Sequence, residues 1–471
     1  MRLFSLLGEI GVAPEISDAE VERITIRAED TRPGALFVCV HRGDAAGEEI
    51  ALAVKNGASV ILCEEQRPLA NAVCVDNARL AFSELCAAFY GHPDRKLKLI
   101  GITGTNGKTT TAQYIRFLLE KTGHACAVIG TLGADTGEGA QNTGYTTPEA
   151  DVFFSSLADA VANGNEYCVC EVSSQALAQY RVDGARFALG VVTNIGSDHL
   201  DYHKTLARLV DAKCRLCSLS EVMLLNADDA YCDRFLQAAG RKKTWLYSCR
   251  GVLSDFTAKS ISPEKEQIRY VLFNGTSLAS VQITGPGMMA VYNSLCALSA
   301  VMIMGVELAQ AASLAARLPQ IPGRAEWIEK SGVRFCVDYA HTPDALSAML
   351  KALHGAARGR LITVFGCGGD RDRSKRAAMG EIAAALSDTV IITSDNPRFE
   401  DPMKIIGDIR AGCRRGRQVF VEPDRKNAIA LAYEKASAGD VILVAGKGHE
   451  TVQLIGGREI PFSDRAVIEE L

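Results

Sequence analysis

The segment that most constrains the fold runs from Leu97 to Gly123 and reads LKLIGITGTNGKTTTAQYIRFLLEKTG. It begins as a short apolar strand, continues through a glycine-rich turn, and ends as a helix with apolar side chains on one face. A strand followed by a tight turn and a helix is the first part of a βαβ unit. The segment therefore predicts an α/β fold, with the turn at the carboxyl end of a parallel strand, where such sheets bind ligands.

The turn contains the groups that bind a nucleotide phosphate. Gly104 and Gly107 let backbone N–H groups approach phosphate oxygens, while Lys108 supplies a cation and Thr109 a hydroxyl for Mg²⁺. The strict spacing GxxxxGK[ST] is not met, because its first glycine would fall on Ile102. The alternative is an ordinary glycine turn. We favour a phosphate loop because the strand, the Gly-Lys-Thr-Thr sequence and the amphipathic helix occur together.

Length, charge and cysteine content exclude several classes of protein. A chain of 471 residues is too long for one hydrophobic core and predicts several domains. A net charge of −5 gives no electrostatic basis for nucleic-acid binding. The 15 cysteines are scattered through a long chain, which indicates free, mostly buried thiols in the reducing cytoplasm.

One uncharged stretch, residues 270–306, could be mistaken for a membrane span. A span needs about 20 consecutive apolar residues. Gln282, Pro286 and Asn293 interrupt this stretch, so we expect a buried helix and no membrane span. The apolar N-terminus meets Glu9 too early to form the core of a signal peptide.

Two polar breaks, GHPDRK at 91–96 and QIPGRAE at 320–326, divide the chain. They predict three domains, over residues 1–93, 94–322 and 323–471. The second and third each alternate apolar strands with helical segments, the rhythm of a parallel sheet. In the third, each apolar strand ends in glycine or a polar residue, which marks those ends as candidate ligand sites.

Acidic residues and histidines follow two strands of the predicted central domain. Glu171 ends a buried strand, where a glutamate is usually just solvated but a nucleotide enzyme needs an acidic Mg²⁺ ligand. Four further candidate ligands follow another strand: Asp198, His199, Asp201 and His203. The alternative is a loop histidine that only satisfies its own hydrogen bonds, and we favour function because the four are clustered. Spacing alone predicts that Lys213 faces solvent on a helix.

Twelve short motifs occur in a fixed order: TGTNGKTT, TTP, EVSS, QYR, SDHLDYH, AK at Lys213, YN, PGR, DYAHTPDAL, GCGGDRD, SDNPR and GKGHE. From about Gly91 to the end, this set resembles the Mur ligases, and among them those that add the third residue to a UDP-muramoyl dipeptide. The resemblance implies a small N-terminal α/β domain that binds the UDP substrate, a central P-loop ATPase domain with a parallel sheet, and a Rossmann-like C-terminal domain that binds the amino acid.

The resemblance also implies an activity. It is the ATP-dependent addition of meso-2,6-diaminopimelate to UDP-N-acetylmuramoyl-L-alanyl-D-glutamate, through an acyl phosphate, in peptidoglycan precursor synthesis. ATP and Mg²⁺ are the implied cofactors, the two small substrates are the implied partners, and a cytoplasmic monomer is expected. Phosphorylation makes chemical sense because a carboxylate is a poor electrophile until one of its oxygens becomes a leaving group.

Site residues are carried over from the family motifs. The implied ATP-binding residues are Gly104, Thr105, Asn106, Gly107, Lys108, Thr109, Thr110, Asn293, Arg324, Asp338 and His341. The implied catalytic residues are Lys108, Glu171, His199 and Lys213, and the implied metal ligands are Thr109, Glu171, His199 and Lys213. Lys213 matches a carbamylated lysine (N6-carboxylysine), whose carboxylate-like oxygens suit Mg²⁺. This implication replaces the solvent-facing interpretation of Lys213.

Two further groups are implied for the other substrates. Contacts to the UDP-muramoyl peptide are assigned to Thr31, Thr146, Thr147, Ser173, Gln179 and Arg181. Contacts to diaminopimelate are assigned to Arg371, Asp395, Asn396, Pro397, Arg398, Gly446 and Glu450. Arg398 would bind the second carboxylate of diaminopimelate in a two-pronged contact, and Glu450 would accept from its distal ammonium. The alternative for Arg398 is a surface ion pair with Glu400 or Asp401.

The N-terminal segment departs from the family pattern. Asp30, Thr31 and Arg32 stand where the family has Asp-Ser-Arg, and the spacing to Pro33 is shorter than usual. Three alternatives stay open at this point: a catalytically inactive or divergent Mur-fold nucleotide-binding protein, a ligase for another amino acid such as L-lysine, and folylpolyglutamate synthetase. The intact catalytic set argues against the first, and the sequence Asp-Asn-Pro-Arg together with the extra N-terminal domain argues against the last.

Overall fold

The structure is a computed structural model that describes residues 1–13, 16–264, 267–355, 357–413 and 418–471. In this part of the chain, three larger sheets and a small hairpin follow one another along the sequence. Helices connect most of the parallel strands, so the prediction of an α/β fold with three domains is confirmed. The exact domain limits stay predictions.

The N-terminal region is built on a four-stranded parallel sheet, in the order β1-β2-β3-β4. Its elements are α1 (Leu3–Glu9), β1 (Arg23–Thr25), a 3₁₀ turn (Ala28–Asp30), β2 (Ala35–Val38), α2 (Gly43–Lys55), β3 (Val60–Cys63), β4 (Ala72–Cys74), α3 (Ala78–Phe89) and a 3₁₀ turn (Pro93–Arg95). Strands β2 and β3 are apolar on both faces and fully buried, as expected for parallel strands covered by helices.

The central region contains a ten-stranded sheet in the order β14-β13-β12-β11-β10-β9-β5-β8-β6-β7. Its elements are β5 (Lys98–Thr103), α4 (Lys108–Lys121), β6 (Cys126–Gly130), β7 (Gly133–Asp135), α5 (Ala150–Ala162), β8 (Tyr167–Glu171), α6 (Ser174–Ala178), β9 (Phe187–Val192), α7 (Leu200–His203), α8 (Leu206–Leu219), β10 (Ser220–Asn226), α9 (Cys232–Ala239), β11 (Lys243–Ser248), β12 (Phe256–Glu264), β13 (Gln267–Phe273), β14 (Leu278–Thr284), α10 (Gly287–Ile303), α11 (Leu308–Leu314) and a 3₁₀ turn (Ala315–Arg317). The strands from β12 to β6 are mutually parallel, and β7, β13 and β14 add antiparallel edges.

The uncharged stretch at 270–306 divides between β13, β14 and α10. Helix α10 is apolar and buried in the central core, as predicted. Among the described residues, no helix is long and apolar enough to cross a membrane.

The C-terminal region has a six-stranded sheet in the order β15-β16-β20-β17-β18-β19, parallel except at its edge pair β15-β16. Its elements are β15 (Glu326–Lys330), β16 (Val333–Asp338), α12 (Pro343–His354), β17 (Leu361–Phe365), α13 (Lys375–Leu386), β18 (Thr389–Ile392), α14 (Pro402–Gly412), β19 (Gln418–Val421), α15 (Arg425–Lys435), β20 (Val441–Ala445), β21 (Val452–Ile455), β22 (Arg458–Pro461) and α16 (Asp464–Glu470). Strands β21 and β22 form the hairpin.

All 15 cysteines are free thiols, and most are buried, as predicted. Cys214 and Cys217 have the Cys-x-x-Cys spacing on α8, yet they form no disulfide. Desolvation raises the pKa of the partly buried Cys214 thiol to about 11 and that of the buried Cys217 thiol to about 12. A thiol with a raised pKa is a poor nucleophile and a poor metal ligand at neutral pH, so this pair gives no evidence for redox chemistry.

Candidate active site

The loop between β5 and α4 has backbone conformations that require glycine. Gly104 has φ of 145° and Gly107 has φ of 86°. A Cβ atom at Gly104 would collide with the side chain of Thr193, and one at Gly107 would collide with the side chain of Asn293. Glycine at these two positions therefore lets other groups approach the loop backbone closely, as a phosphate loop requires.

The loop is held in place by the end of the neighbouring strand β9. Thr105 N donates to Asn194 O at 2.7 Å, and Asn106 N donates to Asn194 Oδ1 at 3.0 Å. The hydroxyl of Thr193 donates to Asn106 O at 2.7 Å. These contacts cross from one strand end to the next, so the sheet itself fixes the shape of the loop.

Two lysine side chains lie against this loop. Lys108 Nζ donates to Gly104 O and to Thr105 O, each at 2.9 Å, and Lys213 Nζ donates to Gly104 O at 2.7 Å. Burial lowers the pKa of Lys108. Burial, together with the nearby charge of Lys108, lowers the pKa of Lys213 well below its ordinary value.

The expectation from spacing that Lys213 faces solvent is wrong, because only 3% of its surface is exposed. Leu209 and Leu216, at positions i−4 and i+3 on α8, are also buried. Lys213 therefore lies within the apolar stripe of its helix, a signal that the sequence contained. Its acceptor is 109 residues away, so the reason for its burial could not be read locally.

Glu171 is buried at the end of β8, next to the phosphate loop. Its Oε2 accepts from the hydroxyls of Thr109 at 2.9 Å and Thr131 at 3.1 Å, and its Oε1 accepts from Thr131 N at 2.9 Å. Arg324 also donates to the hydroxyl of Thr109, at 3.3 Å. A Cβ at Gly130 would strike the Glu171 carboxylate. Glu171 is therefore not a solvated strand-end residue. Its carboxylate and the hydroxyls of Thr109 and Thr131 place oxygen atoms of the kind that bind Mg²⁺ beside the loop.

Asp198 lies between two histidines. Its Oδ2 is 3.5 Å from His199 Nε2 and 3.8 Å from His341 Nε2. Burial lowers the pKa of both imidazoles. Burial opposes ionisation of Asp198, but the two histidines, the hydrogen bond from His199 N and the charge of Lys108 together hold the pKa of this carboxyl below its usual value. His199 immediately precedes α7 and has a left-handed backbone, with φ of 54°.

The other two candidate ligands in this segment lie elsewhere. His203 is buried and its Nε2 is hydrogen-bonded to Ser174 Oγ at 2.9 Å, so the satisfied-histidine alternative holds for this residue. Asp201 is exposed and faces Arg371 at 3.9 Å. Among the described residues, no group of three or more His, Cys, Asp or Glu side chains is arranged to hold a metal ion.

Asp338, at the end of β16, organises the start of the C-terminal region. Its two carboxylate oxygens accept from Ala325 N and Ala340 N, each at 2.8 Å, and burial raises its pKa. The guanidinium of Arg324 lies 4.4 Å from the centre of the Tyr339 ring. These contacts hold Arg324 where it reaches Thr109 across the boundary between the two regions.

Arg181 is the centre of a second polar cluster in the cavity. It donates to Thr147 O at 2.8 Å and to Gln179 Oε1 at 2.7 Å, and it pairs with Glu149 at 2.9 Å. Its guanidinium lies 4.8 Å from the centre of the Tyr145 ring. Thr146, Thr147 and Ser173 belong to the same wall. This wall faces the phosphate loop across one cavity.

Thr31 lies apart from that cluster. It is buried, and its hydroxyl donates to Arg27 O at 3.3 Å. Within the described part of the chain, Thr31 lines neither the cavity at the phosphate loop nor the cavity at Arg398.

Most predicted site residues line two adjoining cavities. The first, of about 700 Å³, is lined by Gly104, Thr105, Asn106, Gly107, Lys108, Thr109, Thr110, Thr146, Thr147, Glu171, Ser173, Gln179, Arg181, His199, Lys213, Asn293, Arg324, Asp338, His341 and Arg371. The second, of about 390 Å³, is lined by Arg371, Asp395, Asn396, Arg398, Gly446 and Glu450. Asp198, His199, His341 and Arg371 line both cavities, so the two spaces meet at these side chains. Pro397 lines neither.

Arg398 is fixed by its backbone as well as its side chain. It has φ of 53°, its N–H donates to Leu454 O at 2.9 Å, and its carbonyl accepts from Gly456 N at 2.7 Å. Its guanidinium donates to Gly369 O at 2.8 Å. The hairpin of β21 and β22 therefore holds Arg398 at the second cavity.

The surface ion pair considered for Arg398 does not form among the described residues. Glu400 pairs instead with Arg376 at 2.9 Å and with Arg373 at 3.1 Å. Asp401 caps α14 by accepting from Met403 N at 2.9 Å.

One buried residue of the second site was not singled out from the sequence. Lys447, inside the motif GKGHE, donates to Asn396 Oδ1 at 2.9 Å and to Glu450 Oε2 at 2.8 Å. Gly446, with φ of 112°, leaves no room for a Cβ beside the carboxylate of Asp395. The motif was visible in the sequence, but the burial of its lysine was not.

Comparison with known proteins decides the family. The models of the "Mur ligase middle domain" and of the "Mur ligase, glutamate ligase domain" match residues 102–301 and 323–448. The UDP-N-acetylmuramoyl-L-alanyl-D-glutamate--2,6-diaminopimelate ligase of Trichormus variabilis is 39% identical, over 99% of this chain and 97% of its own length. The chain belongs to the Mur ligase family.

Other Mur ligases agree with this assignment. A curated ligase of the same name from Clostridium botulinum is 37% identical over 96% of this chain and 95% of its own length. A solved structure of that name is 31% identical, with a TM-score of 0.74 and coverage of 99% and 98%. The MurF ligase of Thermotoga maritima, solved with ADP, shares the fold at 21% identity, with a TM-score of 0.63 and coverage of 91% and 94%.

Proposed function

We propose that this Mur ligase adds meso-2,6-diaminopimelate to UDP-N-acetylmuramoyl-L-alanyl-D-glutamate, at the expense of ATP, in peptidoglycan precursor synthesis. The observation that carries the proposal is the meeting of the two cavities. The phosphate loop lines the first cavity, and Arg398 and Glu450 line the second. Asp198, His199 and His341 line both cavities. The curated relatives at 37–39% identity bear the name of this reaction.

The reaction has two steps. An oxygen of the substrate carboxylate first attacks the γ-phosphorus of ATP, the bond to the bridging oxygen breaks, and ADP leaves with that electron pair. The amine of the amino acid, having lost a proton from its ammonium form, then attacks the acyl carbon. A second proton leaves the nitrogen, and inorganic phosphate departs with the carbon–oxygen bonding pair. Positioning of these three reactants supplies most of the catalysis.

The nucleotide is proposed to bind along the loop from Gly104 to Thr110. Backbone N–H groups would cradle its phosphates, with Lys108 on the outer oxygens, and Asn293, Arg324, Asp338 and His341 around the rest. The close backbone approach at Gly104 and Gly107 supports this assignment. Arg324 supports a contact that spans two regions, because it already reaches Thr109 from the C-terminal side.

Magnesium is proposed to bind beside the loop, through Thr109, Glu171, His199 and a carbamylated Lys213. The donor set fits a hard cation in part, because the Thr109 hydroxyl and the Glu171 carboxylate are 2.9 Å apart. When bound, the ion supplies positive charge to phosphate oxygens. Carbamylation requires that a neutral Lys213 amine attack CO₂ and lose one proton, and the buried position beside Lys108 favours the neutral amine.

The other two substrates are proposed to bind to different parts of the two cavities. The UDP-muramoyl peptide is proposed to contact Thr146, Thr147, Ser173, Gln179 and Arg181, and its uridine end Thr31 in the domain over 1–93. Diaminopimelate is proposed to bind with Arg398 on its distal carboxylate, and its other proposed contacts are Arg371, Asp395, Asn396, Pro397, Gly446 and Glu450. We also propose domain limits at 93 and 322, a cytoplasmic location, which the free thiols support, and a monomeric state.

The test is product formation by purified protein. With ATP, Mg²⁺, the UDP-linked dipeptide and diaminopimelate, mass spectrometry should detect the UDP-linked tripeptide together with equal amounts of ADP and phosphate. Omission of any one reactant should abolish the tripeptide. Nucleotide turnover without tripeptide, under complete conditions, would overturn the proposal.

A further inference from the structure

Two residues that line the second cavity, Asn396 and Glu450, are held by a buried ammonium that the proposed reaction does not use. Lys447 follows β20 and has 0% of its surface exposed. Its Nζ donates to Asn396 Oδ1 at 2.9 Å, to Glu450 Oε2 at 2.8 Å and to Val452 O at 2.7 Å. An ammonium has three N–H donors, so all of them are engaged within the protein. Lys447 therefore has no donor left for a ligand.

These contacts immobilise one oxygen of Glu450. Asn396 Nδ2 donates to the same Glu450 Oε2 at 2.8 Å, so two donors converge on that atom. Leu454 N also donates to Asn396 Oδ1 at 3.0 Å, which ties the amide to β21. With Oε2 held, Glu450 Oε1 is the oxygen available to a ligand in the cavity.

The Lys447 ammonium also reduces the repulsion between two carboxylates of the second cavity. Asp395 and Glu450 line the same small cavity, and two carboxylates at one site repel each other. Lys447 Nζ, 2.8 Å from Glu450 Oε2, offsets the charge of that carboxylate and so reduces the repulsion.

We infer that Lys447 is a positioning residue for the amino-acid substrate: with Asn396, it orients Glu450 so that Oε1 accepts from the substrate's distal ammonium. This inference deepens the proposed function and rests on it. It assigns Lys447 no contact with substrate, and it predicts that loss of the ammonium acts through Glu450 and the Asn396 amide that holds it.

The test is steady-state kinetics of Lys447→Met, alone and combined with Glu450→Gln. Hydrogen bonds to charged groups contribute about 1.5–3 kcal/mol. Lys447→Met should therefore raise KM for diaminopimelate about tenfold or more. KM for ATP and for the UDP-linked dipeptide should hardly change. In the Glu450→Gln background, Lys447→Met should add little, because its partner charge is already gone.

A matched control is Lys242→Met. Lys242 Nζ also has three acceptors, the carbonyls of Cys217, Ser218 and Ser220 at 2.6, 3.0 and 2.6 Å, but it lies outside both cavities. It should change stability without selectively changing KM for the amino acid. If Lys447→Met does not fold, Lys447→Gln takes its place, with the same expected pattern.

Two results would overturn the inference: an equal rise of all three KM values, or additive effects of Lys447→Met and Glu450→Gln. Failure of the proposed function would look different. If the wild type ligates L-lysine and not diaminopimelate, the proposed substrate is wrong. The Lys447 comparison can then be made with L-lysine, which carries the same distal ammonium.

Discussion

The phosphate loop and the amino-acid pocket hold their buried lysines in different ways. At the loop, Lys108 and Lys213 both donate to Gly104 O, a neutral backbone carbonyl. In the pocket, Lys447 donates to the side chains of Asn396 and Glu450. Neither loop lysine has a carboxylate partner in these contacts, whereas the pocket lysine is already paired with one.

This difference suggests how each region meets its ligand. A phosphate oxygen carries charge and attracts an ammonium more strongly than a neutral carbonyl does. A phosphate should therefore draw Lys108 away from the carbonyls of Gly104 and Thr105. The pocket is preorganised, and its substrate should bind without breaking the contact between Lys447 and Glu450. Substitutions at the loop should mainly affect phosphate chemistry, and substitutions in the pocket should mainly affect the choice of amino acid.

The largest effect is expected at the loop, for Lys213→Ala. Loss of a group that stabilises charge during phosphoryl transfer should lower the ligation rate by on the order of 10²–10³ or more. The protein should stay folded, and added short-chain carboxylates should partly restore activity if a carbamate is the functional group. Lys204→Ala is the control, because Lys204 is exposed. Full activity of Lys213→Ala would show that Lys213 is not the carbamylated metal ligand.

The next effect is expected in the pocket, for Arg398→Ala. Loss of one partner of a buried charge pair costs about 2–5 kcal/mol, which corresponds to about 30-fold or more in apparent affinity. Diaminopimelate should lose this affinity, whereas L-lysine, which lacks the distal carboxylate, should change far less. Arg398→Lys should recover only part of the loss.

The measurement is kcat/KM for both amino acids in each Arg398 variant. Arg373→Ala is the matched control, because Arg373 is mostly exposed and pairs with Glu400. If Arg398→Ala lowers both values equally, Arg398 has a structural role and the assignment of diaminopimelate loses its main support.

A smaller effect, on stability, is expected at Glu400, which supports the amino-acid pocket through its contacts with Arg376 and with Asp370 N. Hydrogen bonds from the buried guanidinium of Arg376 hold the pKa of Glu400 at about 2, below its ordinary value of 4.5. The folded pKa is depressed, so this stabilisation is complete above about pH 4.5 and is lost as the pH falls towards 2. Glu400→Gln should be less stable than wild type by about 1–3 kcal/mol at neutral pH.

Urea unfolding of both proteins between pH 7 and pH 2 checks this prediction. It also tests whether ionic contacts hold the amino-acid pocket in shape before substrate binds. The difference in free energy of unfolding should narrow as the pH approaches 2. If the difference in free energy of unfolding is independent of pH, the ionised carboxylate of Glu400 is not the source of the stabilisation.

The smallest expected effect concerns the space between the two regions. Asp201, from the central region, faces Arg371, from the C-terminal region, at 3.9 Å, a contact that closure would tighten. Small-angle scattering should show a lower radius of gyration with an ATP analogue and both substrates than with none. An unchanged radius at saturating ligand would contradict closure and leave the assigned chemistry intact.

The fold could be predicted because its signals are local. Apolar strands, glycine turns and amphipathic helices recur within short windows, and these windows predicted the strand β5, the turn at Gly104 and the helix α4 that the structure has. The order of strands within each sheet was not predicted, because it depends on contacts between distant segments.

The roles of individual polar residues were harder to predict. Lys213 and Lys447 are buried because their acceptors lie 109 and 51 residues away in the chain. Spacing suggested solvent for Lys213, and only the resemblance to the Mur ligases indicated a function. His203 shows the reverse error, because the cluster of candidate ligands suggested a function, but its partner is the hydroxyl of Ser174.

The most direct test of the central claim is ADP release from ATP in the presence of UDP-N-acetylmuramoyl-L-alanyl-D-glutamate, with diaminopimelate and L-lysine offered separately. If the phosphate loop and the Arg398 pocket act as one active site, ADP release should be rapid with diaminopimelate and slow with L-lysine. Equal release with either amino acid, or release that needs no amino acid, would contradict the account.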